Sequence, residues 1–411
     1  MNTLDRIARH LVFKRLQRVI DGFLIVREGL EDHGFGKRGT ISATVDVTDA
    51  RFYRAVVLGG HIGAAEAYAD GWWTTDDLTA VIRVFVRNRG VMDDLETGFA
   101  RLVQPVRMAA HALNRNTRGG SRHNIAAHYD LGNDFFSLIL DETMTYSSGY
   151  FEHPAATLAD ASRAKYERLC RKLELQSEDH LLEIGTGWGG FAIHAARNYG
   201  CKVTTTTISR EQFQLARERV AKAGLQDRIT VLLSDYRDLQ GKYDKLVSIE
   251  MIEAVGHQFF GEYFEKCAAL LKPTGLAAIQ AITIQDRFYD EARRHVDFIK
   301  RYIFPGSCLP ALAPLMTACA PTDLRLVHAE DFGAHYAQTL REWHRNLDSN
   351  RRSISELGYD DFFQRIWKFY FAYCEGGFDE GVLGVSQLVF AKPAAALAMR
   401  SSSFRWQASA A

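Results

Sequence analysis

The segment Leu181-Leu182-Glu183-Ile184-Gly185-Thr186-Gly187-Trp188-Gly189-Gly190 constrains this chain more than any other. An apolar run of strand length stops at a glycine-rich turn, which leads directly into a helical pattern. Glycines there let the chain turn tightly and let its backbone approach a ligand where a Cβ would clash. From residue 178 onward strand and helix patterns alternate. Strands are expected at His180–Gly185, Lys202–Thr207, Ile229–Leu233, Lys245–Ile249 and Leu276–Thr283, with helices at 189–199, 209–223 and 258–271 between them. Strands separated by helices imply a doubly wound, mostly parallel α/β sheet, whose ligands bind beyond the carboxyl ends of the strands. Further helices are expected near 286–302, 334–348 and 360–375, followed by a strand Val382–Ala391.

A chain of 411 residues has room for a smaller unit ahead of that sheet. Residues 1–115 read as a mainly helical N-terminal domain. It holds a strand Thr40–Val47 and helical stretches at Phe52–Leu58, His61–Asp70 and Leu78–Asn88. The polar, glycine-containing stretch at 114–122 reads as a linker, 120–393 as the main domain, and 394–411 as a disordered tail rich in Ala and Ser. At the start, Leu4, Ile7, Leu11, Val12, Leu16, Val19 and Ile20 recur at helical spacing among Arg6, Arg9, Lys14, Arg15 and Arg18. A basic amphipathic helix of this kind either lies on an anionic membrane or packs on its own domain with a solvated basic face.

Composition excludes several classes. Lys+Arg and Asp+Glu both number 50, so no global charge draws the chain to nucleic acid. The six cysteines form no C-x-x-C pair, which argues against a zinc site and a disulfide framework, and no metal is expected. No run approaches the ~18 apolar residues that span a bilayer, and no signal-peptide core is visible. The expected location is cytoplasmic, with transient association at the inner face of the membrane.

A Gly-x-Gly-x-Gly turn alone does not separate dinucleotide from other cofactors. Three details do. Glu183 directly precedes Ile184 and the first glycine, an E-x-G-x-G-x-G form typical of methyltransferases. The second strand ends in Thr207-Ile208-Ser209, without the acidic ribose ligand expected for NAD. After the third strand, Asp235 and Tyr236 offer a polar group and an aromatic face for adenine, although Asp235 alone is equally readable as a cap or turn residue. The cofactor expected is S-adenosyl-L-methionine, on a class I methyltransferase fold.

With these features in hand, the chain resembles the cyclopropane-fatty-acyl-phospholipid synthase family, which includes the mycolic acid cyclopropane synthases. The blocks that carry the likeness are His128–Phe136, Thr143–Ser147, Glu183–Gly190, Thr207–Ser209 with Gln212, Met251–His257, Tyr302–Pro310 and Phe332–Tyr336. The likeness runs from about 120 to 392 and is weaker ahead of that. It implies that Tyr146 and Ser147 close over the cofactor, that Gly185, Gly187 and Gly189 form its loop with Glu183, and that Thr207 and Gln212 hold its adenosine and methionine parts, with Tyr236 beside the adenine. It also implies a bound bicarbonate ion, held by Glu253 and Tyr336. Two positions depart from the family pattern: a cysteine is replaced by Ser148, and the bicarbonate-holding histidine by Gln280, in Gln280-Ala281-Ile282. Ser148, Gln280 and Ile282 are therefore carried as candidate catalytic positions. Cys374 matches a cysteine once assigned as a nucleophile, but the chemistry needs no thiolate and it reads chiefly as structural.

The implied reaction is methyl transfer to the cis double bond of an unsaturated phospholipid acyl chain. An alkene is a feeble nucleophile, so the site must align it and exclude water. The carbocation formed is stabilised by aromatic faces, and a base must take a proton from the new methyl group to close a cyclopropane ring. Glu253, Tyr336 and Gln280 are expected to orient bicarbonate as that base. Each also has a purely structural reading: Glu253 as a solvated strand-end carboxylate, Tyr336 as a packed helix residue, Gln280 as an ordinary strand side chain. A methylene- or methyl-branched product, a small soluble acceptor, and a lipid-sensing scaffold without catalysis are the alternatives. The expected partner is membrane phospholipid, and the N-terminal domain is a candidate homodimer contact.

Overall fold

The computed structural model describes residues 1–91 and 131–396. The expected linker at 114–122, the segment containing His128, and the tail beyond 396 lie outside those residues. By Cα proximity the chain divides into two units: Met1–Asn114 with Asp290–Pro305 and Ala337–Leu383, and Arg115–Tyr289 with Gly306–Tyr336 and Gly384–Ala411. The chain thus passes between the units several times, where a single boundary near 115 was expected.

The second unit is built on a sheet whose central strands are largely buried, with apolar cores on both of its faces. The strands of this sheet are β5 (His180–Ile184), β6 (Lys202–Thr207), β7 (Ile229–Leu233), β8 (Tyr243–Ile249), β9 (Leu271–Ile284), β10 (Arg325–Asp331) and β11 (Leu383–Ala391). Their order across the sheet is β10-β11-β9-β8-β5-β6-β7. Strands β5 to β9 pair in parallel and β10 runs antiparallel to β11. One core packs Leu182, Ile184, Leu246, Phe260 and Phe264 on one side of the sheet. The other packs Leu181, Phe191, Val203 and Val247. The chain leaves β5 toward β6 and β7, then returns to β8 on the opposite flank of β5. That reversal is the switch point where such sheets bind ligands. The glycine loop leaves β5 there, and the end of β8 lies one strand away, with Ile184 opposite Ser248.

All five expected strands are present; β9 is longer than expected because it begins at Leu271. Helices 189–199, 209–223 and 258–271 appear as Gly190–Tyr199, Arg210–Lys222 and Phe260–Leu270. The expected single helix at 286–302 is two, Asp286–Arg294 and Phe298–Tyr302, because Asp297 caps a fresh start by accepting from Lys300 N.

In the first unit the expected helices accompany a four-stranded sheet of order β2-β1-β3-β4. Its strands are β1 (Phe23–Glu28), β2 (Glu31–Gly36), β3 (Ser42–Val47) and β4 (Trp73–Thr74), of which only β3 was expected. Two expected helices are one, Arg51–Ala69, kinked at Gly60. The N-terminal helix Thr3–Leu16 buries Ala8, Val12 and Leu16, while Leu4 and Ile7 remain 63% and 55% exposed. Among the described residues no helix is long and apolar enough to cross a membrane, and no cluster of His, Cys, Asp and Glu could hold a metal.

Candidate active site

The glycine loop is held by backbone geometry that only glycine adopts freely. Gly185, Gly187 and Gly189 have φ of 101°, 51° and 85°, and Gly189 is the N-cap of helix Gly190–Tyr199. The amides of Gly185 and Thr186 both donate to Thr206 O at 3.0 Å, which ties the loop to β6. Around Gly187 an added Cβ would meet nothing within 4 Å, so this stretch of backbone is open to a ligand. Gly190 is small for a different reason: a Cβ there would lie 2.5 Å from Tyr166 Oη and 2.8 Å from Thr143 O.

Glu183 is 2% exposed and accepts from Thr205 Oγ1 at 2.6 Å. Burial pushes its carboxyl up to about 8, against the pull of that hydroxyl and of Lys165. At neutral pH it is therefore a neutral acid that fastens β5 to β6. Below its ordinary value of 4.5 the group is protonated whether folded or unfolded; between there and about 8, unfolding releases a proton, so stability falls as pH rises. Glu183→Gln keeps the acceptor for Thr205 and abolishes the titration. Its melting temperature is expected to exceed that of the wild type at pH 8 and to match it near pH 4.5, as read by thermal denaturation across that range.

At the end of β6, Thr207 Oγ1 donates to Gln212 Oε1 at 2.8 Å, and Ser209 caps helix Arg210–Lys222. Asp235 caps a short turn and forms a buried pair with Arg237, Oδ2 to Nη2 at 2.7 Å, so its turn role is realised. Tyr236 is buried edge-on against Tyr263, with ring centroids 5.6 Å apart. The open glycine backbone, a helix N-terminus and polar groups at successive strand ends fit S-adenosylmethionine.

On the facing segment, Tyr146 lies edge-on to Phe136 at 5.2 Å, and Ser147 Oγ accepts from Lys165 Nζ at 2.6 Å. Lys165 is fully buried on helix Leu158–Lys172. Burial lowers its ammonium to about 8, and the charges of Glu250, Asp141 and Glu183 act in the opposite sense.

The end of β8 carries two glutamates. Glu250 follows the strand directly, with φ of 50°, and its amide donates to Gln280 O at 2.8 Å. Its Oε1 accepts from Ser148 N at 2.9 Å and from Gln280 Nε2 at 2.7 Å, and the carboxyl also takes a hydrogen bond from Tyr336. Burial raises its pKa, while Lys165 and these three donors oppose the rise. Glu253 sits in the turn Ile252–Ala254, and its Oε1 accepts from Ile282 N at 2.5 Å. Burial first, and then the charge of Glu250, push it up to about 8. Glu253 Oε2 has no hydrogen-bond partner among the described residues.

The family-model comparison decides the identity: the model for mycolic acid cyclopropane synthetase matches residues 117–388. The chain belongs to the mycolic acid cyclopropane synthetase family. It is similar to tuberculostearic acid methyltransferase UfaA1 of Mycobacterium tuberculosis, 41% identical over 343 residues that cover 81% of this chain and 79% of that protein. It is also similar to cyclopropane-fatty-acyl-phospholipid synthase of Escherichia coli, 34% identical over 373 residues, 90% of this chain and 93% of that one. The structure of cyclopropane synthase CmaA1 complexed with SAH and CTAB matches with a TM-score of 0.63 at 30% identity, covering 66% of this chain and 98% of that one. The protein is an S-adenosylmethionine-dependent methyltransferase.

Of the candidates for the chemistry in this synthetase family member, Ser148, Glu253, Gln280, Ile282 and Tyr336 converge at the end of β8. Cys374 does not join them: it belongs to the first unit, and burial pushes its thiol up with no activating cation among the causes. The bicarbonate expected from the resemblance does not fit. Ser148 N, Gln280 and Tyr336 are already donating to Glu250, and a bicarbonate among them would set a second negative charge against that carboxylate in an interior site. Glu250, Lys165 and Gln387, which contacts Gln280, were not singled out from the sequence. The available signal was Glu250 itself, an ionisable residue closing an apolar strand.

Proposed function

We propose that the protein transfers the methyl group of S-adenosylmethionine to the cis double bond of an unsaturated phospholipid acyl chain, and that the resulting carbocation loses a proton to close a cyclopropane ring. The observation that carries this reading is the carboxyl pair at the end of β8, one strand from the cofactor loop. The bound cofactor supplies an electrophilic methyl group, so no metal and no activated nucleophile is required of the protein. What the protein must provide is a proton acceptor shielded from bulk water. Two carboxyls differently hydrogen-bonded, Glu250 by three donors and Glu253 by one amide, supply a charge-stabilised acceptor and a neutral partner. Homology along 90% of the chain with a cyclopropane-fatty-acyl-phospholipid synthase supports the substrate class.

A second product is favoured by the 41% identity to a tuberculostearic acid methyltransferase. If a hydride first shifts from the methyl-bearing carbon to the adjacent cation, the new methyl group then loses its proton to give a methylene branch instead of a ring. Contact with the membrane's inner face is supported by the N-terminal helix, which exposes Leu4, Ile7 and Leu11 beside Arg6, Lys14 and Arg18.

Incubation with dioleoylphosphatidylglycerol vesicles and methyl-labelled cofactor tests the reading. Label is expected in the acyl chains, and NMR separates a ring from a methylene. Label only in a water-soluble acceptor, with none in lipid, would overturn it.

A further inference from the structure

We infer that the carboxylate of Glu250 takes the place of the expected bicarbonate ion and is the proton acceptor of the reaction. The inference rests on the lipid methyl-transfer reading above. Two of the groups that the resemblance turns toward a small oxyanion, Gln280 and Tyr336, aim their donors at this carboxylate, and the amide of Ser148 joins them. An anion of the same shape, covalently attached, is already where the diffusible one was expected.

The orientation of Gln280 supports an anionic acceptor. Lys172 can only donate, and its Nζ gives a hydrogen bond of 2.7 Å to Gln387 Oε1. Gln387 Nε2 must then face Gln280 Oε1, which it does at 3.0 Å, leaving Gln280 Nε2 to donate to Glu250. A chain of amides anchored on a cation thus ends with its donor against the carboxylate, and each bond polarises the next. Lys165 adds a positive charge nearby.

The two glutamates divide the work. Glu253 is taken up by Ile282 N, whereas the donors of Ser148, Gln280 and Tyr336 converge on Glu250. The backbone at Glu250 also stands in the left-handed region that glycine favours, a local strain that the three donors hold in place. The step balances without another reactant. When the methyl carbon bonds to one olefinic carbon, the electrons of the broken C–S bond stay on sulfur and the adjacent carbon becomes cationic. A C–H bond of the new methyl group then breaks and the proton passes to a Glu250 oxygen; its electron pair forms the ring C–C bond or, where a 1,2-hydride shift has first moved the cation to the methyl-bearing carbon, the branch C=C bond.

The test uses the full chain with dioleoylphosphatidylglycerol vesicles and methyl-labelled S-adenosylmethionine, in buffer stripped of carbon dioxide and again with bicarbonate restored. Wild-type turnover is expected to be the same in both buffers. Glu250→Gln is expected to lose at least ~100-fold in turnover, the scale of a lost general base, while binding S-adenosylmethionine as the wild type does by calorimetry. Glu250→Gly, which relaxes the backbone and vacates the carboxylate's place, is expected to be equally slow and to regain at least about 10-fold with added formate or bicarbonate. Wild-type labelling that collapses without bicarbonate, or Glu250→Gln that keeps more than about a tenth of its turnover, overturns the assignment of the base alone. Absence of labelled lipid from the wild type in either buffer overturns the lipid reading and the base assignment together.

Discussion

Lys165→Met is expected to lower turnover at pH 7 by about 10-fold or more and to recover much of it at alkaline pH. Lys165 is fully buried, yet its Nζ has a hydroxyl, Ser147 Oγ at 2.6 Å, as its hydrogen-bond acceptor. Its charge is met first by Glu250 and then by Asp141. Burial raises the Glu250 pKa, and Lys165 is the first of the influences that lower it. Methionine fills the same unbranched volume without the charge. The Glu250 carboxyl then holds its proton to higher pH. Because an acceptor works only when deprotonated, the acid limb of the rate profile moves upward by about one pH unit or more. Each such step leaves about a tenth of the base ionised at a fixed pH below it. A lesion that merely loosened Ser147 would depress the rate evenly across the pH range, so the profile of kcat against pH separates the two. A flat loss would mean that Lys165 orders the segment over the cofactor and does not tune the base.

Much of this site was legible in the sequence, and the parts that were not share a physical reason. The glycine loop, the five parallel strands and the positions Ser148, Glu253, Gln280, Ile282 and Tyr336 were readable because strand–turn–helix punctuation and family motifs are local signals. Strand β2, Glu-Asp-His-Gly-Phe-Gly, was not: it is a polar edge strand with one buried residue, Phe35, and so lacks an alternating apolar pattern. Strand β10 is an exposed edge of the large sheet and was missed for the same reason. Lys165 sits in a helix rich in charged residues, where periodicity gives no hint that one of its two lysines is fully buried. Gln387 lies on β11, distant in sequence from the Gln280 amide that it orients. Glu250 was hidden by its neighbour: the motif Met251-Ile252-Glu253 drew attention three residues downstream, to the glutamate expected to orient bicarbonate. Only the fold shows that the donors at Ser148, Gln280 and Tyr336 serve the earlier glutamate.

Glu253→Ala and Glu253→Gln are expected to part company, and the difference reports on what the second carboxyl does. Glu253 is pushed up to about 8 by burial and by Glu250, so at pH 7 it is mainly a neutral acid. Its visible task is to accept from Ile282 N at 2.5 Å, which fixes the end of β9 against the site. Alanine leaves that amide unpaired, at a cost of about 1–3 kcal/mol, and opens a space beside Glu250 that water can enter. With each 1.4 kcal/mol worth about tenfold, turnover is expected to fall by roughly 10- to 100-fold while cofactor binding is retained. Water admitted beside the carbocation would add to it and release a proton, so a hydroxylated, methylated chain is expected among the products of the alanine variant. Glutamine keeps an acceptor for Ile282 N and resembles the protonated carboxyl in shape and charge. Its turnover is expected within about 10-fold of the wild type, without the hydroxylated product. Mass spectrometry and NMR of the lipid products, with kcat measured beside them, decide the matter. If glutamine is as damaging as alanine, the negative charge of Glu253 is what the reaction uses, and the division between an ionised Glu250 and a neutral Glu253 is wrong.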